Sequence, residues 1–205
     1  MPHIRPVQPA DIDALYEIAL LTGASGKDAT HLYKDGRLVG HIWAAPYAQL
    51  EPESAFVAVD DEGVAGYIVG TVDTPAFDLK LEAEWWPGLR PQYADPSPER
   101  AAEWNADEIA AFIIHHPRRT PRAIIERYPS HLHINLLPRL QGQGMGAKLM
   151  TRWLDTMRGA GSRGVHLGVS PVNDRALGFY RAYGFEELPR ENPRPHDPVW
   201  FAMAL

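Results

Sequence analysis

An apolar segment that runs through a glycine-rich turn into an amphipathic helix places the strongest constraint on the fold. Residues 134–147 read INLLPRLQGQGMGA, with glycine at every second position from Gly142 to Gly146. Glycine lets a ligand approach the backbone closely, and the first amides of a helix lack internal partners at the positive end of its dipole. The turn therefore predicts a phosphate or pyrophosphate site. The apolar residues that follow at helical spacing are Met145, Leu149, Trp153, Leu154 and Met157.

Two known phosphate-binding turns fit this segment. The letters from Gly142 to Ala147 match the dinucleotide fingerprint of Rossmann domains, which expects an acidic residue about 20 residues downstream. Residues 162–170, around the next apolar strand, contain no Asp or Glu, which weakens that interpretation. The pattern Q-x-x-G-x-G, which starts at Gln141, is the other fit.

A second motif follows at residues 173–185, which read NDRALGFYRAYGF. Asn173 is a good N-cap residue, and Gly184 suits the position just beyond the end of a helix. Apolar residues recur at helical spacing between them. The two motifs together predict a strand, turn, helix, strand, helix and strand across residues 130–189.

With these two motifs in this order, the chain resembles the GNAT family of N-acetyltransferases, which carry a Q/R-x-x-G-x-G/A turn. Members commonly end with an asparagine, a helix, an aromatic pair and a Gly-Phe step. The stretches 66–74, 82–93 and 131–146 are also similar to bacterial acetyltransferases related to the C-terminal acetyltransferase-like domain of eukaryotic O-GlcNAcase.

The resemblance implies an α/β (α+β) fold with one GNAT domain over residues 1–205. A mixed, mostly antiparallel sheet flanked by helices is expected, with a central strand pair splayed around the acyl donor. Residues 74–129 would form a helical insertion between strands 3 and 4, and residues 130–189 the acetyl-CoA-binding core. From the residues alone, strands are predicted at 3–6, 56–59 and 64–72, and helices at 9–21, 77–87 and 99–115.

The resemblance also implies the donor and its contacts. Acetyl-CoA would be the co-substrate, with Tyr180 as the general acid that protonates the departing thiolate. The main chain of Leu136 or Leu137 would contact the acetyl-pantetheine arm and polarise the thioester carbonyl. Asn173 would hydrogen-bond the pantetheine. The backbone amides expected to hold the pyrophosphate are those of Gln141, Gly142, Gln143, Gly144, Met145, Gly146 and Ala147. Arg139, Lys148 and Arg152 flank the turn as candidate basic contacts.

The general base has two candidates in the sequence. Asp73 ends the third predicted strand, and His133 lies on the fourth. His133 has a suitable ordinary pKa near 6.5, whereas Asp73 would need an upward shift of its pKa or a relaying water. Both candidates stay open at this level.

Composition limits the class of protein. A chain of 205 residues with 45% hydrophobic content is expected to form one domain with a full core. A net charge of −6 argues against nucleic-acid binding, and the absence of cysteine argues against a cysteine-linked acyl intermediate. The amino terminus shows no apolar signal core and no run approaches membrane-spanning length, so a cytoplasmic enzyme without membrane partners is expected. No convincing metal-ligand spacing is present.

The acceptor is expected to be an amine, on a small molecule or a protein, while its identity and the oligomeric state stay open. Aromatic residues of the insertion are candidates for an acceptor-binding wall. Trp43 and Tyr47 are expected in the core, with a position on the substrate side as the alternative. The candidates for the wall are Trp85, Trp86, Tyr93 and Trp104. Two alternatives to an acetyltransferase are a catalytically silent coenzyme-binding or protein-interaction module and a dinucleotide enzyme.

Overall fold

The computed structural model of the chain describes residues 1–190, 193–194 and 197–205. Across these residues the strands form one mixed sheet in the order β1-β2-β3-β4-β5-β7-β6. The strands are β1 (His3–Pro6), β2 (Phe56–Asp60), β3 (Gly63–Thr71), β4 (Ser130–Leu136), β5 (Gly164–Val169), β6 (Glu186–Glu187) and β7 (Val199–Ala204). The mixed, mostly antiparallel sheet expected from the sequence is confirmed.

Helices flank the sheet, and several of them lie in the connection between β3 and β4. They are α1 (Ile12–Leu21), α2 (Leu38–Trp43), α3 (Ala45–Leu50), α4 (Thr74–Lys80), α5 (Trp86–Leu89), α6 (Ala106–His115), α7 (Arg122–Ile125), α8 (Met145–Gly159) and α9 (Asp174–Tyr183). Within the described ranges, no helix combines the length and apolar character needed to cross a lipid bilayer.

The two central strands separate shortly after they begin to pair. β4 and β5 run parallel, and their pairing is limited to Ser130 with Val165 and His131 with His166. β4 stays paired with β3 on its other side as far as Leu136. β5 pairs with β7 on its other side along its whole length, so the sheet opens between β4 and β5 while each of these strands keeps its outer partner.

Helix α8 is fixed against the sheet by Trp153, whose side chain is completely buried. Its Nε1 donates a hydrogen bond of 3.0 Å to the Ser54 carbonyl oxygen. A Cβ atom at Gly70 on β3 would lie 2.5 Å from Cζ2 of Trp153, so only glycine allows this approach. The glycine-rich turn that precedes α8 is thereby held at one end of the sheet.

The segment between β3 and β4 is mainly helical, with boundaries that differ from those predicted. The first helix starts at Thr74 and continues through a π-helical turn at Leu81–Trp85 into α5. The second starts at Ala106 because the Asn105 side chain accepts a hydrogen bond from the Glu108 amide, and the Glu108 carboxylate accepts one from the Asn105 amide. Residues 99–103, predicted as part of this helix, belong to a separate 3-10 turn at Pro98–Glu103.

Candidate active site

A cleft of about 840 Å³ lies where β4 and β5 separate. Its walls come from residues 132–136 of β4, residues 167–169 of β5, the glycine-rich turn, α9 and the loop that follows α1. The opening of the sheet therefore creates the space, and main-chain groups of β4 that would pair with a neighbouring strand face that space instead.

The glycine-rich turn presents open backbone to the cleft. Gly142 and Gly144 both have φ of 73°, in the left-handed region that favours glycine. A Cβ atom at either position would meet nothing within 4 Å, so the space beside them is available to a ligand. Gln141, Gly146 and Ala147 also line the cleft. Since α8 begins directly after Gly144, its unpaired first amides lie at this wall.

Two other predicted turn residues point elsewhere. The Met145 side chain is buried in the core, and Gln143 is exposed and donates its side-chain amide to the Arg139 carbonyl oxygen at 2.7 Å. Neither side chain lines the cleft, so any contact with a bound phosphate would come from their backbone amides.

The Gln141 side chain links β4 to α9. Its Nε2 donates to the Leu136 carbonyl oxygen at 2.6 Å, and its Oε1 accepts a hydrogen bond from Arg175. Arg175 lines the cleft and was not predicted, because nothing in its local sequence distinguishes it from a solvated helix residue. The predicted Arg139 instead forms an ion pair of 2.7 Å with Asp60, in the β2–β3 hairpin.

The other two predicted basic contacts also lie away from the cleft. The Arg152 guanidinium lies 5.1 Å from the centre of the Phe56 ring, and Lys148 is exposed on α8. Neither side chain contributes to the cleft wall.

The candidate oxyanion donors differ in availability. The Leu137 amide donates to the Ala65 carbonyl oxygen at 2.8 Å, so it is not free to polarise a thioester carbonyl, and that part of the prediction for Leu137 has to be corrected. In an antiparallel ladder, successive residues direct their main-chain groups to opposite sides. The Leu136 amide therefore points away from β3, towards the opening beside β5.

Asn173 and Tyr180 form part of the opposite wall. The Asn173 side-chain oxygen accepts a hydrogen bond of 3.1 Å from the Ala176 amide and so caps α9. Tyr180 is only 7% exposed, and burial raises the pKa of its phenol well above the ordinary value. Its hydroxyl makes no hydrogen bond to any described residue, although the side chain lines the cleft. The Phe179 ring lies beside Gly146, and a Cβ atom added at Gly146 would be in ordinary van der Waals contact with that ring.

The two candidate bases occupy different environments. His133 lines the cleft, and burial, together with the nearby His166, lowers its pKa to about 4. Asp73 is exposed, caps α4 by accepting a hydrogen bond of 2.9 Å from the Ala76 amide, and does not line the cleft. The structure brings His133 and Tyr180 to the same cleft and leaves Asp73 outside it.

The four aromatic residues of the insertion that were predicted to form an acceptor wall do not line the cleft. Trp85 donates to the His41 carbonyl oxygen at 2.9 Å and Tyr93 donates to Asp35 at 2.7 Å, so these side chains hold the insertion against α2 and the segment before it. Trp86 is buried, and Trp104 lies 4.7 Å from Phe112, measured between ring centres. Trp43, predicted in the core, is 38% exposed and lines the cleft with Tyr33.

The cleft wall carries no carboxylate among the residues that the structure describes. Its charged side chains there are Arg118 and Arg175. Among the side chains of the described wall, histidine, present there as His133, is the residue type whose unperturbed pKa lies near neutrality. No three metal-ligating side chains converge within the described parts of the chain.

Comparison with known proteins identifies the family. The model described as the Acetyltransferase (GNAT) family matches residues 39–185. Protein O-GlcNAcase of Rattus norvegicus is 25% identical over 211 residues, which cover 98% of this chain and only 22% of that protein.

Two solved structures are also similar. The crystal structure of SsHAT is 36% identical, covers 99% of this chain and 98% of its own, and superposes with a TM-score of 0.89. The structure of yncA from Salmonella typhimurium, solved with its cofactor acetyl-CoA, is 18% identical. It covers 99% of this chain and 93% of its own, with a TM-score of 0.55. On the family match and the likeness to SsHAT, the chain belongs to the GNAT family of acetyltransferases, which use acetyl-CoA as the acetyl donor.

Proposed function

We propose that this acetyl-CoA-dependent acetyltransferase moves the acetyl group directly to an amine, within the cleft between β4 and β5. The observation that carries the proposal is the meeting of open backbone amides, the Tyr180 hydroxyl and the His133 ring in one cleft. These are the groups that donor binding and proton transfer require. We further propose that residues 1–205 act as one domain with its insertion at 74–129, and that it works in the cytoplasm.

In this proposal the donor lies along the wall made by β4 and the glycine-rich turn. The amides from Gln141 to Ala147 hold the pyrophosphate, at the positive end of the α8 dipole. The pantetheine runs past Asn173, and the thioester carbonyl accepts a hydrogen bond from the Leu136 amide. That amide stabilises the negative charge that develops on the carbonyl oxygen during attack.

The chemistry then needs two proton transfers. The amine nitrogen attacks the thioester carbon, a C–N bond forms, and the nitrogen becomes cationic and strongly acidic. His133 accepts the proton from this nitrogen, and because its pKa is lowered to about 4 it acts at this late stage, when the nitrogen is more acidic than a free ammonium group. The C–S bond breaks, and Tyr180 donates its proton to the sulfur of coenzyme A.

The charge of the cleft supports a particular class of acceptor. Arg118 lies on the described wall, Arg175 bonds Gln141 at the proposed donor end, and no carboxylate lines the described wall, so a polycationic amine finds no partner there. Trp43 and Tyr33 offer flat apolar surface. We expect an acceptor whose amine belongs to a neutral or anionic molecule, or to a protein segment with those properties.

The proposal is tested by release of free coenzyme A from acetyl-CoA in the presence of an amine panel. The panel contains amino acids, peptides with free amines, amino sugars and polyamines, and mass spectrometry identifies the product. Transfer to at least one amine, with polyamines among the poorest acceptors, is the expected result. Tight binding of acetyl-CoA without transfer to any member would favour a catalytically silent binding module.

We expect His133→Gln to lower kcat/KM by roughly 10² to 10⁴-fold, the usual contribution of a general base. Asp73→Asn is the matched control, because asparagine caps a helix as well as aspartate and so preserves α4. It should leave the rate close to that of the parent protein. The reverse ranking, with Asp73→Asn inactive and His133→Gln active, would transfer the role of base to Asp73.

The pH profile gives a separate check on His133. Since its pKa is lowered to about 4, the neutral form needed for catalysis is complete above about pH 5 and is lost only as the pH falls through 4. The rate should therefore rise with pH as the acceptor ammonium loses its proton, without an inflection near 6.5. An inflection near 6.5 that disappears in His133→Gln would show that the histidine titrates normally.

A further inference from the structure

Behind His133 lies a chain of hydrogen bonds that does not itself line the cleft. The Tyr47 hydroxyl on α3 is 2.8 Å from Nε2 of His131 and 3.1 Å from Nε2 of His133. Nδ1 of His131 is 2.7 Å from Oγ1 of Thr74, which is also 2.7 Å from the Pro129 carbonyl oxygen. Four side chains and one carbonyl group are thus connected from the interior to the cleft.

The proton positions follow from the buried end of this chain. A carbonyl oxygen only accepts, so the 2.7 Å contact between Thr74 and Pro129 requires the threonine hydroxyl to donate its single hydrogen there. That hydroxyl has no second hydrogen for His131. The contact between Nδ1 of His131 and Thr74 therefore requires Nδ1 to carry a hydrogen and to donate it.

The same reasoning continues through Tyr47 to the cleft. Burial lowers the pKa of His131 well below its ordinary value, so the ring is neutral and its Nε2 is an acceptor. Tyr47 must then donate to His131, and its oxygen can only accept from Nε2 of His133. The lengths agree with this order, because O–H donors make shorter hydrogen bonds than N–H donors. They are 2.8 Å to His131 and 3.1 Å to His133.

A neutral His133 that carries its hydrogen on Nε2 has a lone pair on Nδ1. Nδ1 makes no hydrogen bond with any described residue. Nδ1 is not sealed in the interior either. Within the described ranges, the side-chain polar atom that is both fully buried and without a hydrogen-bond partner is Ser54 Oγ, so the unpartnered Nδ1 of His133 keeps some exposure. The ring lines the cleft, 5.4 Å from Trp43 between ring centres. The lone pair is therefore accessible where an acceptor amine would lie.

We propose that Thr74, His131 and Tyr47 are positioning residues that hold His133 in its Nε2–H tautomer and so present Nδ1 as the basic atom. This inference rests on the proposed role of His133 as the base. It deepens that role by identifying the reactive nitrogen and the residues that select it. An opposite tautomer would direct an N–H group, rather than a lone pair, at the acceptor.

Tyr47→Phe tests the proposal, because it removes the hydroxyl and keeps the ring that stacks on Phe77 at 4.4 Å between ring centres. The expected result is a fall in kcat of about tenfold or more, with the KM for acetyl-CoA unchanged. Tyr16→Phe is the matched control. Its hydroxyl also bonds a histidine, at 2.8 Å from Nδ1 of His41, away from the cleft, and its loss should leave kcat unchanged.

Two further measurements separate positioning from a structural role. Tyr47→Phe introduced into His133→Gln should cause no additional loss of activity, because the two substitutions remove the same function, the basicity of His133. Long-range ¹H–¹⁵N spectra of histidine-labelled protein should show His133 protonated at Nε2 and unprotonated at Nδ1. They should show a loss of this single tautomer in Tyr47→Phe.

The outcomes are distinct. An Nδ1–H tautomer in the parent protein, or additive effects of the two substitutions, would overturn the proposal. The spectra require no acetyl transfer, so they report the tautomer even if the amine panel reveals no acceptor. The tautomer of the parent protein is read without Tyr47→Phe, so an Nδ1–H tautomer there would overturn the proposal even if that variant failed to fold.

Discussion

Replacing Tyr180 by phenylalanine should lower the turnover number by roughly 10² to 10⁴-fold while the affinity for acetyl-CoA stays the same. The substitution removes the hydroxyl that protonates the departing sulfur. It preserves the ring, which packs 5.6 Å from Phe185 and 5.8 Å from Phe201 between ring centres. The thiolate would then leave without a proton in a buried cleft, where an unpaired charge is costly.

Turnover at saturating acceptor, together with calorimetric binding of acetyl-CoA, measures this effect. Tyr93→Phe is a suitable control, since its hydroxyl donates to Asp35 at 2.7 Å and lies outside the cleft. Because burial raises the pKa of Tyr180, its phenol stays protonated across the neutral range. The rate should show no falling limb below about pH 10, the ordinary pKa of tyrosine. Unchanged turnover in Tyr180→Phe would remove it from the mechanism.

Local sequence patterns were sufficient for the part of the fold that forms the proposed donor wall. Glycines at alternate positions and the helical spacing after them predicted the turn at Gly142–Gly144 and the start of α8. Asn173 and Gly184 mark the two ends of α9 as expected, one by its side-chain cap and the other by a φ of 108°. These features depend on residues close together in the chain, which is why a single sequence reveals them.

Features that depend on distant contacts were not predictable in the same way. Residues 38–50 form α2 and α3, which are separated at Ala44 and are buried on nearly all sides, so they show no amphipathic period. The placement of β7 between β5 and β6 was also missed. The link from Tyr47 to His131 joins residues 84 positions apart, and no local pattern signals it.

The choice between the two candidate bases shows the same limit. The sequence left both Asp73 and His133 open, since Asp73 ends one predicted strand beside the expected site and His133 lies on the next. The structure separates them, because the Asp73 carboxylate accepts the amide hydrogen of the next helix, whereas the β4 register directs His133 to the cleft. Likewise, Trp85 and Tyr93 were selected by composition, but their hydrogen bonds commit them to packing of the insertion.

Introducing a carboxylate at Gly144 should weaken acetyl-CoA binding by about 100-fold or more. Gly144 is the N-cap of α8, and the space beside it is open to the cleft. In Gly144→Asp the added charge would lie close to the pyrophosphate. Two like charges about 5 Å apart repel by roughly 3 kcal/mol at an effective dielectric constant near 20, which corresponds to this loss.

The fold should tolerate this substitution, so the loss would report on the coenzyme site. Aspartate is among the residues that adopt a left-handed φ, and a negative charge is favourable at the positive end of a helix dipole. Gly144→Asn tests the charge, since it adds nearly the same volume without a negative group and should lose much less affinity.

Gly161→Asp is the control for backbone strain, because Gly161 has a φ of 79°, similar open space and no part in the cleft wall. Calorimetry with acetyl-CoA and thermal unfolding of all three variants distinguish the causes. If Gly144→Asp bound acetyl-CoA as tightly as Gly161→Asp, the pyrophosphate could not lie against the backbone of this turn. The assignment of the donor wall would then have to move to another part of the cleft.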